Sequence, residues 1–237
     1  MIPICDAHTH MLFGIDDGAK NVDESIEMLK LASAQGVTDV FLTPHDVFTL
    51  DEYNSRFSLL LAKVNELSLG ITLRQGCEIY CGRTFLSEVI NEIKTRNRLP
   101  LGNSNYYLVE FDPYDEEEDI LFCLEKLTDF LGIKVILAHA ERCINLSDNL
   151  ESFRRIADLG VKIQINAYSL VEEQNRIIKK SARALLSSKL VSFVGSDSHQ
   201  LSHRPPIITS GVNYVVETCD PDYAKAVLYD NAKTLLF

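Results

Sequence analysis

Short apolar runs alternate with longer amphipathic stretches along nearly the whole chain, and this alternation restricts the available folds more than any other feature. The apolar runs are Ile2–Cys5, Val37–Leu42, Ile71–Leu73, Tyr106–Val109, Val135–Ala138, Val161–Ile165 and Leu190–Val194. They are short and bounded by turn or functional residues, as strands buried on both faces are. Helical stretches lie between them. One spans about Asp23 to Gln35, with Ile26, Leu29 and Ala32 on one face and Gly36 as its stop. Others lie near Asp51–Leu67, Thr84–Thr95, Glu118–Phe130, Leu150–Leu159 and Glu172–Ser187, and a last one begins at Asp220-Pro221, an N-cap with proline in the first helical position. Strand–helix order repeated about seven times, with short loops, implies a parallel sheet with right-handed crossovers. A closed or nearly closed barrel is the first reading and a doubly wound open sheet the second. At 237 residues the chain has the length of one α/β barrel, and it contains no linker, repeat or low-complexity segment, so 1–237 reads as a single domain.

Charge and cysteine content exclude several classes. The formal net charge of −11, without a dense Lys/Arg run, disfavours nucleic acid as a partner. The acidic run Asp115–Asp119 reads as a charged helix start. None of the six cysteines forms a Cys-x-x-Cys pair, which argues against a zinc ribbon or a thioredoxin-like site. No signal-peptide pattern opens the chain, and no apolar stretch approaches the roughly 20 residues that span a bilayer. A cytoplasmic protein with reduced thiols and no membrane insertion is expected.

The chemistry concentrates at the ends of the expected strands. Asp6-Ala7-His8-Thr9-His10 follows the first. Residues two apart on an extended chain face the same side, so His8 and His10 can hold one metal, with Asp6 placed to orient a ring. His-x-His alone is a weak signal, but the pattern recurs. His45 ends the second strand, Glu78 follows the third, Glu110 ends the fourth, His139 ends the fifth, and Asp197 and His199 follow the last, while Asp17 lies in the first loop. In a barrel these ends share one face. Each residue alone could be a helix cap or a loop carboxylate; five of the six histidines at such positions are not explained that way.

Nitrogen and oxygen ligands alone point to a catalytic Mn, Fe, Zn or Co site, with Mg also admissible, and their number calls for two or three ions. Clustered metals suit displacement at phosphorus; amide hydrolysis stays chemically open. Arg142 lies three residues after His139 and Arg204 seven after Asp197. Their position on ligand-bearing loops suggests phosphate binding, for which a guanidinium fork is suited. A rival pattern, Cys77-x5-Arg83-Thr84, matches the loop of cysteine-dependent phosphatases. It is rejected because Glu78 would set an anion beside the phosphate, and Ile79 and Tyr80 are too bulky for a backbone cradle.

These residues resemble the PHP (polymerase and histidinol phosphatase) superfamily, and more closely its manganese-dependent protein-tyrosine phosphatases from capsular and exopolysaccharide loci. The matching pieces are Asp6-Ala7-His8-Thr9-His10, Gly14-Ile15-Asp16-Asp17-Gly18-Ala19-Lys20, Thr43-Pro44-His45, Gly76-Cys77-Glu78-Ile79-Tyr80, Val109-Glu110-Phe111, Ala138-His139-Ala140-Glu141-Arg142, Gln164-Ile165-Asn166, Ser196-Asp197-Ser198-His199 and Arg204-Pro205-Pro206. The resemblance implies a distorted seven-stranded, TIM-like β/α barrel with a trinuclear manganese centre. One metal would take His8, His10, Glu78 and Asp197; a second would share Glu78 and take Glu110 and His139; a third would take Asp17, His45 and His199. Arg142 and Arg204 would hold phosphate. The implied substrate is phosphotyrosine on a protein, with a tyrosine kinase of polysaccharide assembly as partner. A small-molecule phosphatase, such as one acting on histidinol phosphate, is the alternative. Asp46, Cys143 and His203 depart from the family pattern at the rim, where they bear on substrate preference.

Overall fold

The computed structural model describes residues 2–236; Met1 and Phe237, the ends of the expected domain, lie outside the described residues. Strand β1 (Ile4–Thr9) starts later than the apolar run and continues through Asp6 and His8. It pairs in parallel with β2 (Val37–Leu42), which pairs with β3 (Thr72–Gln75). The third expected strand is broken at Gly76-Cys77 and resumes as β4 (Glu78–Tyr80). Strands β5 (Tyr106–Glu110), β6 (Lys134–Leu137), β7 (Lys162–Asn166) and β8 (Val191–Gly195) then follow β4 in parallel sequence order.

The three-stranded and five-stranded sheets meet at or beyond the C-terminal ends of β1, β2 and β8 and at the start of β4. Parallel bridges join Thr9 to Ser198 and His45 to Glu78. Backbone bonds reinforce both seams: His10 N donates to Ser198 O (2.8 Å), Asp197 N to His8 O (2.9 Å) and Glu78 N to Pro44 O (3.0 Å). The ring is therefore a distorted barrel and not the open-sheet alternative. Its joints lie where the candidate ligands are.

Cys5, Ala7, Phe41, Leu108, Ile136, Ala138 and Phe193 fill the barrel interior, and Ala232 and Leu235 of the last segment pack against them at the strands' N-terminal end. The remaining apolar residues pack under the outer helices α1 (Val22–Ala34), α2 (Leu50–Glu66), α3 (Leu86–Lys94), α4 (Glu117–Glu125), α5 (Leu150–Asp158) and α6 (Arg176–Ser187). Asn21 caps α1 by accepting from Glu24 N (3.0 Å). Helix α7 (Thr209–Thr218) was not expected from its sequence, which carries a glycine and several β-branched residues. It is capped from a distance: Gln35 Oε1 accepts from Ile208 N (2.9 Å), Thr209 N (3.2 Å) and the Thr209 hydroxyl (2.8 Å). Asp220 caps α8 (Pro221–Lys225) with Pro221 in its first turn, as its sequence indicates.

Candidate metal centre

The barrel closes so that its candidate ligands converge. Glu110, the last residue of β5, and His45 and Asp197, just beyond β2 and β8, continue the alternation of the interior residues Leu108, Phe41 and Phe193. His139 is one residue out of step with Ile136 and Ala138, and its φ of +28° belongs to a conformation that non-glycine residues rarely adopt. Asp197 (φ +51°) and Arg204 (φ +54°) share this strain, which a surrounding structure must impose. Gly18 has no room for a side chain: a Cβ would stand 2.0 Å from His10 O, so glycine here lets the first loop fold over β1.

His8 Nε2 and His10 Nε2 lie 3.3 Å apart, and each is 3.2 Å from Glu78 Oε2. Asp197 Oδ1 stands 3.8 Å from the first and 3.6 Å from the second. On the other side, His139 Nε2 is 2.9 Å from Glu78 Oε1 and 3.5 Å from Glu110 Oε2. His45 Nδ1 is 3.4 Å from Glu78 Oε2 and 3.3 Å from Glu110 Oε1. Asp17 Oδ1 lies 3.4 Å from His199 Nε2 and 3.8 Å from His45 Nε2. Three ligand groups thus share members: His8, His10 and Glu78; His45, Glu78 and Glu110; and His10, Asp17, His45 and His199, each with donor atoms within 4.8 Å of one another. His10 faces the third group as well as the first, and His45 the second as well as the third.

The ring orientations decide whether metal fits. Gln164 Oε1 accepts from His139 N (2.7 Å), which fixes it as the carbonyl oxygen, and it also contacts His8 Nδ1 (3.1 Å). His8 therefore carries its proton on Nδ1 and presents the Nε2 lone pair to the site. Asp16 does the same for His10, with Oδ2 at 2.7 Å from Nδ1, and the Asp197 carbonyl for His199 Nδ1 at 3.0 Å. Buried lone pairs at 3.3 Å repel unless a proton or a cation lies between them. The nitrogen and carboxylate donors match divalent ions of the Mn, Fe, Zn type.

The titration behaviour agrees. Burial opposes the charged form of His10, but the Asp16 and Glu78 carboxylates outweigh it and lift its pKa to about 10. For His139 burial is likewise outweighed, by Glu110 and Glu78, and its pKa also reaches about 10. Glu78 and Asp197, despite burial, are held below the usual carboxylate range by the surrounding histidines, with Arg142 adding to the effect on Asp197. His199 is pushed down to about 3 by burial and by the positive charge of His10.

Asp6 departs from the expectation that it orients a ring. Its Oδ1 accepts from Ser196 N (2.8 Å) and His8 N (3.5 Å), so it ties β1 to β8, and burial raises its pKa to about 6. Gln164 and Asp16 orient the rings instead. Asp16 had a visible signal: in Asp16-Asp17-Gly18 its Oδ1 accepts from Gly18 N (2.9 Å), a side-chain turn typical of aspartate, while Oδ2 also accepts from His45 N (2.8 Å). Gln164 and Asn166 alternate with Ile163 and Ile165 on a buried strand, where amides require partners. Gln164 Nε2 donates to Asn166 Oδ1 (2.9 Å), and Asn166 Nδ2 to Asp197 Oδ2 (3.0 Å).

Both candidate phosphate-binding arginines reach the centre. Arg142 Nη1 lies 3.1 Å and Arg204 Nη1 3.0 Å from Asp197 Oδ2. Arg142 also donates to the Tyr168 hydroxyl and Arg204 to His199 Nε2. Tyr168, beside the next strand end, carries no sequence signal for this contact. The Cys77 loop does not assemble a thiolate site. Cys77 is fully buried, its thiol lies against the Leu99 backbone, burial pushes its pKa up to about 12, and Arg83 pairs with Asp119 (2.6 Å).

The family profile described as capsular polysaccharide synthesis, CpsB/CapC, matches residues 4–237. The chain belongs to the CpsB/CapC family. It is 28% identical over 241 residues to tyrosine-protein phosphatase CpsB of Streptococcus agalactiae serotype III (strain NEM316), covering 98% of this chain and 97% of the relative. It is 28% identical over 243 residues to tyrosine-protein phosphatase YwqE of Bacillus subtilis (strain 168), covering 98% and 91%. Among solved structures, one from work on Bacillus subtilis YwqE and Streptococcus pneumoniae CpsB, described as metal-dependent tyrosine phosphatases, matches with TM-score 0.86 and 26% identity over 98% of this chain and 94% of that one. Histidinol phosphate phosphatase of Lactococcus lactis (TM-score 0.58, 16% identity, covering 100% and 93%) shares the fold. The CpsB/CapC relationship thus covers the whole constellation from His8 to Arg204.

Proposed function

We infer that this chain is a metal-dependent phosphatase that removes phosphate from phosphotyrosine on a protein, with residues 1–237 acting as one catalytic unit. The observation that carries this reading is that His8 and His10 each lie within 3.8 Å of both Glu78 and Asp197, with Arg142 and Arg204 against the Asp197 carboxylate. Likeness to relatives named tyrosine phosphatases supports the substrate class. Two to three ions, manganese foremost, would be held by His8, His10, Asp17, His45, Glu78, Glu110, His139, Asp197 and His199. Bound there, they would lower the pKa of a coordinated water and withdraw charge from a phosphoryl oxygen.

The chain's own groups do the rest. Gln164 and Asp16 keep the Nε2 atoms of His8 and His10 aimed inward. Arg142 and Arg204 rest on Asp197, poised to turn their forks to phosphoryl oxygens. A guanidinium has no free lone pair, so both bind substrate and not metal. The tyrosine leaving group has a pKa near 10, so departure needs no strong general acid, and none is assigned.

The proposed partner is a tyrosine kinase of capsular or exopolysaccharide assembly, met in the cytoplasm. No helix among the described residues is long and apolar enough to cross a membrane. Side-by-side turnover of a phosphotyrosyl peptide and of histidinol phosphate by the manganese-loaded protein tests the substrate class. The peptide should win clearly in kcat/KM; preference for histidinol phosphate would move the chain to the small-molecule phosphatases.

A further inference from the structure

A groove of about 290 Å³ lies on the rim next to the metal centre. It is continuous with the ligand-bearing loops: Asp46 and Val47 directly follow His45, and Tyr80 lies two residues beyond Glu78. Its floor is apolar and open. Val47 is 69% exposed, Phe85 46% and Tyr80 38%, and the two aromatic rings meet edge to face at 5.6 Å. Apolar residues this exposed, next to a catalytic centre, form a contact surface and not a core.

The walls are charged unevenly. Asp46, Glu88 and Glu92 line the groove with a single guanidinium, Arg98, which is engaged by Asp46 (2.8 Å) and Glu92 (3.4 Å). Glu88 has no ion-pair partner among the described residues and is exposed. Near Phe85, the Asp115 carboxylate stands 3.9 Å from where a Cβ on Gly82 would lie, with the Phe85 ring 3.8 Å from the same point. Asp46, one of the rim departures from the family pattern, is thereby accounted for as part of a wall.

We propose that this groove receives a lysine or arginine side chain of the substrate protein, a few residues from the phosphotyrosine. The inference rests on the phosphotyrosine reading. The aliphatic stem of such a side chain lies along Val47 and Phe85 while its cationic head faces the aromatic pair and Glu88. An acidic flank meets the surplus of negative charge, and an apolar flank strips water from Glu88 without replacing it. The groove therefore selects among phosphotyrosyl segments, leaving phosphate chemistry to the metal centre.

The test compares phosphotyrosyl peptides of one neutral background carrying lysine or glutamate at successive positions on either side of the phosphotyrosine. p-Nitrophenyl phosphate, which has no flank, serves as control. At one or more positions the lysine peptide should exceed the glutamate peptide by about three- to tenfold in kcat/KM at low salt, and the gap should narrow at high salt, as expected of partly exposed charges. Glu88→Lys should erase or invert the preference, and Phe85→Ala should weaken it, with p-nitrophenyl phosphate turnover within about twofold of wild type in both. Glu66→Lys, at the far end of α2, makes the same change in net charge and should leave the preference in place. The proposal is overturned if no position separates the peptides, or if Glu66→Lys abolishes the preference as fully as Glu88→Lys. Loss of all turnover by the metal-loaded wild type, p-nitrophenyl phosphate included, instead overturns the phosphatase reading and this inference with it.

Discussion

Asp197 concentrates the competing demands of the site. One oxygen faces the histidine ligands, and the other accepts from Arg142, Arg204 and Asn166. Replacing either arginine with alanine should leave fold and metal content nearly unchanged. Losing a fork removes charge-assisted bonds of roughly 1.5–3 kcal/mol each, so kcat/KM for a phosphotyrosyl peptide should fall about ten- to a thousandfold. Inhibition by free phosphate should weaken in parallel, and lysine should restore only part of the loss. Wild-type kinetics and wild-type phosphate inhibition in both alanine variants would show that neither arginine touches substrate. Gln164 acts one step further out. Gln164→Leu removes the acceptor that holds His8 and leaves His139 N unpaired, so metal affinity should drop about ten- to a hundredfold in competition with a chromogenic chelator. Unchanged affinity in a well-folded variant would deny Gln164 its orienting role. The candidate ligands are legible as residues because histidine is scarce and five of the six sit where a strand ends. Their orienting partners are harder to read: Asp6 and Asp16 look alike in sequence, and only the closed ring shows that Asp6 reaches backbone while Asp16 reaches a ring.

At the level of elements, alternation located the strands and most helices, because burial on both faces writes a continuous apolar run for each strand. The break between β3 and β4 was not legible. Gly76 marks it, and the site is crowded by Leu101 of a distant loop, whose side chain would lie 2.5 Å from a Cβ at that position. Helix α7 was missed for a related reason. Its cap comes from Gln35, and its Gly211 packs so closely that a Cβ would stand 2.1 Å from Ala167 O. Neither signal is local. Gln35→Ala should therefore destabilise the protein by about 1 kcal/mol, the usual worth of an N-cap, seen as a lower midpoint in denaturant with an unchanged slope. A midpoint equal to wild type would mean that α7 is held by packing alone.

For the whole molecule, the closed ring brings residues from six strand ends and the first loop into one candidate metal site. In the metal-free protein His10 and His139 hold protons up to about pH 10, because Asp16, Glu78 and Glu110 surround them. The sign follows directly. These protons are bound without metal and must leave when metal enters, so metal binding releases protons and tightens as pH rises from neutral. Calorimetry in buffers of different ionisation enthalpy should report proton release near pH 7.5, whereas no release would mean that the two rings are neutral before metal arrives.

The most direct test of the account is the rate of phosphate release from a phosphotyrosyl peptide as a function of metal bound to the protein. Stripped of metal, the protein should be inactive; the rate should rise with bound manganese, and Cys77→Ser should follow the same curve. Full turnover by protein shown to be free of metal, or a folded, metal-loaded Cys77→Ser variant without activity, would contradict it.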